Sequence, residues 1–275
     1  MISITYTEHR DVLALHGTPS MHHTSHTSAP TAQPATALEM LRSVGWLGAV
    51  GSATLERLAA QAMVIRLPKG AQIFDQAEIP AFAQFLLAGS IELLAVRRDE
   101  ETLVELIRPV DAVLPAATLG TLPYLVRARV REDASLLLIQ AEPFRAAVAA
   151  DQALCLAMLA CQSTQFRRQM KLAKAIRLRS AEERVGGFLL ALAEAQTETA
   201  EIRLPLEKRQ IASQLGMTRE TLSRALPAIS ACGLRVVGDK LFVDDIAAAR
   251  AAFPYDPLID GRDPITPLSI LGNSQ

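Results

Sequence analysis

The chain has 275 residues, half of them hydrophobic, and 28 Lys and Arg against 29 Asp and Glu give a formal charge of −1. This length suits roughly two domains of about 100–200 residues; the apolar content excludes a wholly disordered chain, and the near-neutral balance means that any affinity for nucleic acid must come from local clustering of cations. Three cysteines, Cys155, Cys161 and Cys232, make no disulfide framework and point to a reducing cytoplasm, and no apolar run approaches the roughly 18 residues of a membrane span.

Residues 1–37 read as a tail. From Gly17 to Ala37 the text is mostly Ser, Thr, Pro, Ala and His without apolar period, too little to offset its ordering entropy. The start also lacks the basic and apolar blocks of a secretory signal. All five histidines lie here (His9, His16, His22, His23 and His26), but Met21-His22-His23-Thr24-Ser25-His26 is not a closed zinc pattern, so no metal site is expected. Folded text begins near Leu38. Leu55 to Ala62 predicts a short helix. Short apolar pieces follow, separated by turn residues: Met63–Leu67, Phe82–Leu87, Ile91–Val96, Thr102–Ile107 and Leu136–Ile139, with Ala88-Gly89-Ser90 read as a turn. Strands of four to six residues at this spacing predict a small antiparallel barrel or sandwich.

From Pro143 the period turns helical for more than fifty residues. Within it Leu156, Leu159, Ser163, Phe166, Met170 and Ala173 keep strict 3–4 spacing. Such a stripe predicts a seam that a second copy of the chain covers, the alternative being an ordinary core helix lying on its own barrel. Arg167, Arg168, Lys171, Lys174, Arg177, Arg179 and Arg184 add a basic run, either a solvated face or a source of positive potential near a phosphate backbone.

Further on, Ile211, Ala212 and Leu215 form the inner face of one short helix, which Gly216 ends; Thr218 is a good N-cap for a second, with Leu222, Leu226 and Ile229 inside. Two short helices joined by a Gly-containing turn predict a helix-turn-helix. Arg219, Glu220, Ser223 and Arg224 then point outward at the start of the second helix, and their types suit base edges: Arg to guanine, Glu to cytosine N4, Ser to either. Thr218 and Lys208 join them as candidate DNA contacts. Leu234–Val237, Gly238-Asp239 and Leu241–Val243 predict a wing-like hairpin. Pro227 is expected to kink or shorten the second helix beyond its base-reading residues. With the histidines confined to the tail there is no Ser/His/Asp or Cys/His arrangement and no paired carboxylates stand out, so no enzyme is expected.

With these residues in this order, above all Ile211-Ala212-x-x-Leu215-Gly216-Met217-Thr218-Arg219-Glu220-Thr221-Leu222-Ser223-Arg224, the sequence resembles the Crp/Fnr family of bacterial transcription regulators over about residues 45–250. The resemblance implies an α+β fold. Its parts are a cyclic-nucleotide-binding-like β-roll (jelly roll) sensor over 38–150, a long dimerisation helix over 151–178 and a winged helix-turn-helix over 179–250, leaving 251–275 as a Pro-rich extension that is either loose or packed on the wing. It also implies a cytoplasmic homodimer on double-stranded DNA, with palindromic TTG-type half-sites about one helical turn apart and RNA polymerase as a partner. The rival reading is a small-ligand or metal-binding signalling module without sequence-specific DNA binding.

The effector is open at this stage. The stretch Asp111–Val126, where the family's cyclic-nucleotide binders place Gly-Glu and Arg-Ser phosphate elements, has no Glu, Arg or Ser, which argues against cyclic AMP. An iron–sulfur cluster is disfavoured because no Cys precedes Cys155. The text around Leu154–Ala160 and Arg179–Leu190 resembles the nitrogen-oxide-respiration branch, for which haem and nitric oxide are implicated. An apolar pocket of Leu114, Leu119, Leu122, Tyr124, Leu125 and Val126 suits haem or another apolar ligand, with an axial His available only from the tail and Tyr, Cys or Met as rival ligands; an apolar core without a ligand carries equal weight.

Overall fold

The computed structural model describes residues 34–98, 100–195 and 202–261. The described residues divide into two compact units, one running up to Ser163 and the other starting at Thr164. The five histidines and most of the Ser/Thr/Pro tail lie outside the described residues.

In the first unit α1 (Pro34–Ser43) brings Ala37 and Leu41 fully into the core, so ordered text starts a few residues before Leu38. Helix α2 (Ser52–Ala59) lies three residues earlier than expected: Gly51 is its N-cap, and Ala62 already belongs to β1 (Ala62–Leu67). The remaining strands are β2 (Gln72–Phe74), β3 (Phe82–Arg97), β4 (Glu100–Ile107), β5 (Asp111–Ala112) and β6 (Arg127–Gln140), with α3 (Pro115–Gly120) before β6 and α4 (Ala141–Ala150) after it. The sheet runs β1-β6-β3-β4, with β2 also on β6 and β5 on β3, and every pairing is antiparallel.

Ala88-Gly89-Ser90 is not a turn between two strands. It lies inside β3, where the register against β6 shifts between Leu86 and Ala88 and again between Ala88 and Ser90. Gly89 has φ +82°, and a Cβ there would come within 2.3 Å of the Asp133 carbonyl oxygen. The residue types that mark a turn therefore make a bulge, which bends a long strand without ending it.

Two-residue alternation divides the core. Leu137 and Ile139 join Phe85, Phe144, Leu41 and Leu58 in one cluster with the helices; Leu136 and Leu138 join Leu86, Ile91 and Leu93 in another between the strands. Because both faces of this part of β6 are buried, Leu136–Ile139 reads as a continuous apolar run. The other half of β6 alternates Ala128 and Val130 inward with Arg127, Arg129 and Arg131 on the opposite side. Those arginines pair with Asp75, Glu101 and Glu92, the shortest contact being Arg127 Nη2 to Asp75 Oδ2 at 2.6 Å.

Helix α5 (Gln152–Leu178) starts on Asp151, whose carboxylate accepts from Leu154 N at 2.9 Å and from the Thr54 hydroxyl. Leu154, Ala157, Met158 and Cys161 of α5 are buried in the helix-side cluster of the first unit.

The second unit takes the rest of α5, then α6 (Ala181–Ala195), β7 (Ile202–Arg203), α7 (Lys208–Gln214), α8 (Arg219–Ala231), β8 (Leu234–Val237), β9 (Lys240–Val243) and α9 (Ile246–Ala252). β7, β9 and β8 form a small antiparallel sheet. Val237 faces Lys240 across Gly238-Asp239, and Gly238 has φ +64°, a two-residue hairpin turn with the left-handed residue first. The 251–261 segment is neither loose nor on the wing. The Phe253 ring lies over Gly186 of α6, so close that a Cβ there would meet it at 2.4 Å. Asp260 then takes both Arg179 guanidinium nitrogens, at 2.7 and 2.8 Å, and Lys174 lies 3.4 Å from Asp256. The basic run is therefore partly neutralised by the chain's own extension.

Candidate nucleic-acid interface

Helix α7 is fixed at its start by a reciprocal cap. The Glu207 side chain accepts from the backbone of Gln210, and Gln210 Oε1 accepts from Glu207 N at 3.3 Å. Glu207-x-x-Gln210 is a capping-box spacing that was legible in the sequence and marks the start of α7. Lys208 opens α7 and is half-buried. Gly216 (φ +66°) supplies the left-handed residue of the turn, and Met217 N returns to the Ala212 carbonyl at 2.9 Å. Thr218 caps α8 by accepting from Thr221 N at 3.2 Å.

Leu222, Ala225 and Ile229 of α8 are buried, and Leu226 is half-buried. On the first two turns Arg219, Glu220, Ser223 and Arg224 are all exposed. The helix thus divides cleanly into an anchored face and a polar one. The Glu220 carboxyl sits below its usual range: hydrogen bonds from its own backbone N–H and the Thr218 hydroxyl hold it there, helped by the charges of Arg219 and Arg224. It is ionised at neutral pH, an acceptor flanked by two fork-shaped donors. Arg224 Nη2 reaches Thr221 Oγ1 at 3.5 Å, a long contact that leaves most of its donors to solvent. Pro227 does not shorten α8, which runs four residues further to Ala231; it only leaves the Ser223 carbonyl without its usual helical donor.

A family profile described as a Crp-like helix-turn-helix domain matches residues 183–250. Residues 183–250 form a Crp-like helix-turn-helix domain. Among solved structures it is similar to FixK2 of Bradyrhizobium japonicum, at 20% identity over 71% of this chain and 98% of that one, with a TM-score of 0.56. It is also similar to a CooA mutant of Carboxydothermus hydrogenoformans (18% identity, 70% and 88% coverage, TM-score 0.57). A third is CLP, the c-di-GMP-responsive global regulator of Xanthomonas campestris (19% identity, 71% and 100% coverage, TM-score 0.55). What these share with the chain at such identities is the fold. No curated protein matches it. A Crp-like helix-turn-helix is a DNA-binding module, and the match places that module at residues 183–250. Among the described residues no three His, Cys, Asp or Glu side chains gather to hold a metal, and no single helix is long and apolar enough to cross a membrane.

The expected effector pocket does not assemble. Tyr124 is a core residue, stacked on Phe74 with ring centroids 3.6 Å apart, and its hydroxyl accepts from Gln84 Nε2 at 3.3 Å. Burial pushes its hydroxyl up to about 12. Leu114 and Val126 pack against the same cluster, but Leu119 packs against the other, and Leu125 and Leu122 are exposed, Leu125 at 86%. The physical reason is local: the chain is left-handed at Leu114 and Thr121, on either side of α3, so Leu114, Leu119 and the residues after Thr121 leave in different directions. Among the described residues no side chains converge here as ligands for a haem iron. Tyr124 is engaged by Gln84, Cys161 Sγ lies 3.7 Å from Asp111 Oδ1 inside the core, and every histidine precedes the described residues.

The seam residues lie along α5 as the spacing predicts. Leu159, Phe166 and Met170 are exposed, Phe166 at 65%, and Leu156, Ser163 and Ala173 are half-buried.

Proposed function

We propose that the chain is a homodimeric transcription regulator that reads a palindromic operator with the first two turns of α8. The observation that carries this reading is the exposed Arg219-Glu220-x-x-Ser223-Arg224 set on a helix anchored by Leu222, Ala225 and Ile229 and capped by Thr218. Arg219 and Arg224 suit guanine O6/N7 as bidentate donors, Glu220 accepts from cytosine N4, and Ser223 serves either role. Thr218 and Lys208 contact phosphate. The two recognition helices meet TTG-type half-sites about 34–36 Å apart, one turn of B-DNA. The exposed stripe on α5 supports pairing of two chains. By the same family resemblance the regulator works with RNA polymerase, and the first unit is the sensor whose state shifts the recognition helices.

Selection of bound oligonucleotides from a random pool tests this directly. A palindrome with TTG-type half-sites is the expected product; recovery of no palindrome would return the chain to a ligand-binding signalling module. On the selected duplex, Arg224→Ala is expected to cost about 1–3 kcal/mol at one base pair per half-site. Equal losses on selected and scrambled duplexes would remove Arg224 from base reading.

A further inference from the structure

Over its C-terminal half α5 has two opposed faces. At about 100° per residue, Phe166, Met170 and Ala173 fall on one side, while Leu172, Ala175 and Arg179 fall about 180° around the axis. The second face walls a cavity of about 810 Å³ within the C-terminal unit, completed by Phe188 and Ala191 of α6, Leu215 and residues 259–261. That volume lies in the roughly 300–1,000 Å³ range of small-molecule sites. Because the cavity is on the side of α5 opposite the seam, a second chain paired along the seam leaves it open.

We infer that this cavity is a binding site for an organic monocarboxylic acid with an apolar body, whose carboxylate takes the place of Asp260 on Arg179. The chain itself presents the template. Residues 259 and 260 offer an aliphatic side chain followed by a carboxylate, and Asp260 meets Arg179 fork to fork, Oδ1 on Nη1 at 2.7 Å and Oδ2 on Nη2 at 2.8 Å. This geometry is specific to a planar carboxylate. The neighbouring cations are used differently: Lys171 Nζ donates to the Gly261 carbonyl at 2.7 Å, Lys174 pairs with Asp256, and Arg184 Nη1 donates to the Arg179 carbonyl at 2.8 Å. Arg179 is thus the cation whose planar fork is taken by one carboxylate, and the side chain that carries it is short. A free acid offers the same head group and also buries its body in the apolar space that Asp260 cannot reach. Binding releases the Asp260 carboxylate, while Lys171 and Lys174 keep the 256–261 turn on α5 as a wall of the cavity.

Calorimetric titration of the full-length chain with decanoate, with decanol as the uncharged control, tests this. Decanoate is expected to bind saturably, once per chain, and more tightly than decanol. Asp260→Ala removes the internal competitor and is expected to tighten decanoate about tenfold, whereas Arg179→Gln weakens it about tenfold or more. Ala191→Phe narrows the cavity without altering the Arg179 pair and is expected to weaken decanoate binding about tenfold. Operator binding by each variant reports that the C-terminal unit is folded. Decanol matching decanoate, an affinity unmoved by Asp260→Ala, or full binding by Ala191→Phe would each overturn the proposal.

Discussion

At the residue scale the molecule separates charges that hold structure from charges left for a partner. Arg127 is committed: it donates to Asp75 and Glu101. Its hydrogen bonds hold the Asp75 carboxyl below the usual carboxylate range. A carboxyl lowered on folding contributes stability above its unfolded value, about 3.9, and that contribution disappears as pH falls through the folded one. Asp75→Asn is therefore expected to cost of order 1 kcal/mol from pH 5 to 8, with the gap to the parent closing below about pH 3.9. Denaturant midpoints measured across that range check the sign. Arg219 and Arg224, by contrast, project from α8 with no ion pair among the described residues. That contrast is why specific losses on the operator are expected at Arg224 and none at Arg127.

At the element scale, α8 shows how a helix tolerates a breaker. Pro227 lies on the exposed side, and the buried Leu222, Ala225 and Ile229 hold the helix together around it. Restoring the missing donor with Pro227→Ala is expected to raise stability, by up to about 3 kcal/mol if the strain is fully relieved. Base preference should persist, since Arg219, Glu220 and Arg224 precede the substitution; thermal melts and operator binding read the two effects separately. Helix α5 makes the complementary point. Its seam side chains contribute little to a single chain, because Phe166 and Met170 are more than half exposed there. Glutamate at both positions, Phe166→Glu with Met170→Glu, is expected to dissociate the proposed dimer in sedimentation experiments while leaving the helical content intact. An unchanged dimer would move the interface elsewhere.

For the whole molecule, a charge of −1 has a direct consequence for DNA. Non-specific affinity depends on locally clustered cations, and part of the basic run on α5 and α6 is already paired with Asp256 and Asp260. Binding to a scrambled duplex is therefore expected to fall steeply with salt, as about −0.9 per phosphate neutralised, and to reach low affinity by physiological ionic strength. If the proposed base contacts at α8 set it, the ratio of operator to scrambled affinity changes far less over the same range. Filter binding at several salt concentrations gives both quantities, and a ratio that collapses with salt would argue that the contacts are to phosphate alone.

The elements legible from the chain were those set by neighbours in sequence. Thr218 caps α8 three residues ahead of its donor, Gly216 ends α7, and Gly238-Asp239 closes the wing, because caps and tight turns are decided by the φ range and hydrogen-bonding reach of a few adjacent residues. The α5 stripe was equally readable, since helical periodicity needs no partner to be seen. Features that depend on residues far apart were not. Ala88-Gly89-Ser90 reads locally as a turn and becomes a bulge only because β6 lies alongside, and the Arg127–Arg131 half of β6 looks like loop until Asp75, Glu92 and Glu101 arrive to neutralise it. Tyr124 and Leu125 are adjacent yet end in the core and in solvent. The Arg179–Asp260 pair joins residues 81 apart in sequence. Local sterics write themselves into a short window of sequence; burial and ion pairing are properties of what the completed fold brings near, so the cavity beside Arg179 and the fate of the basic run were decided only there.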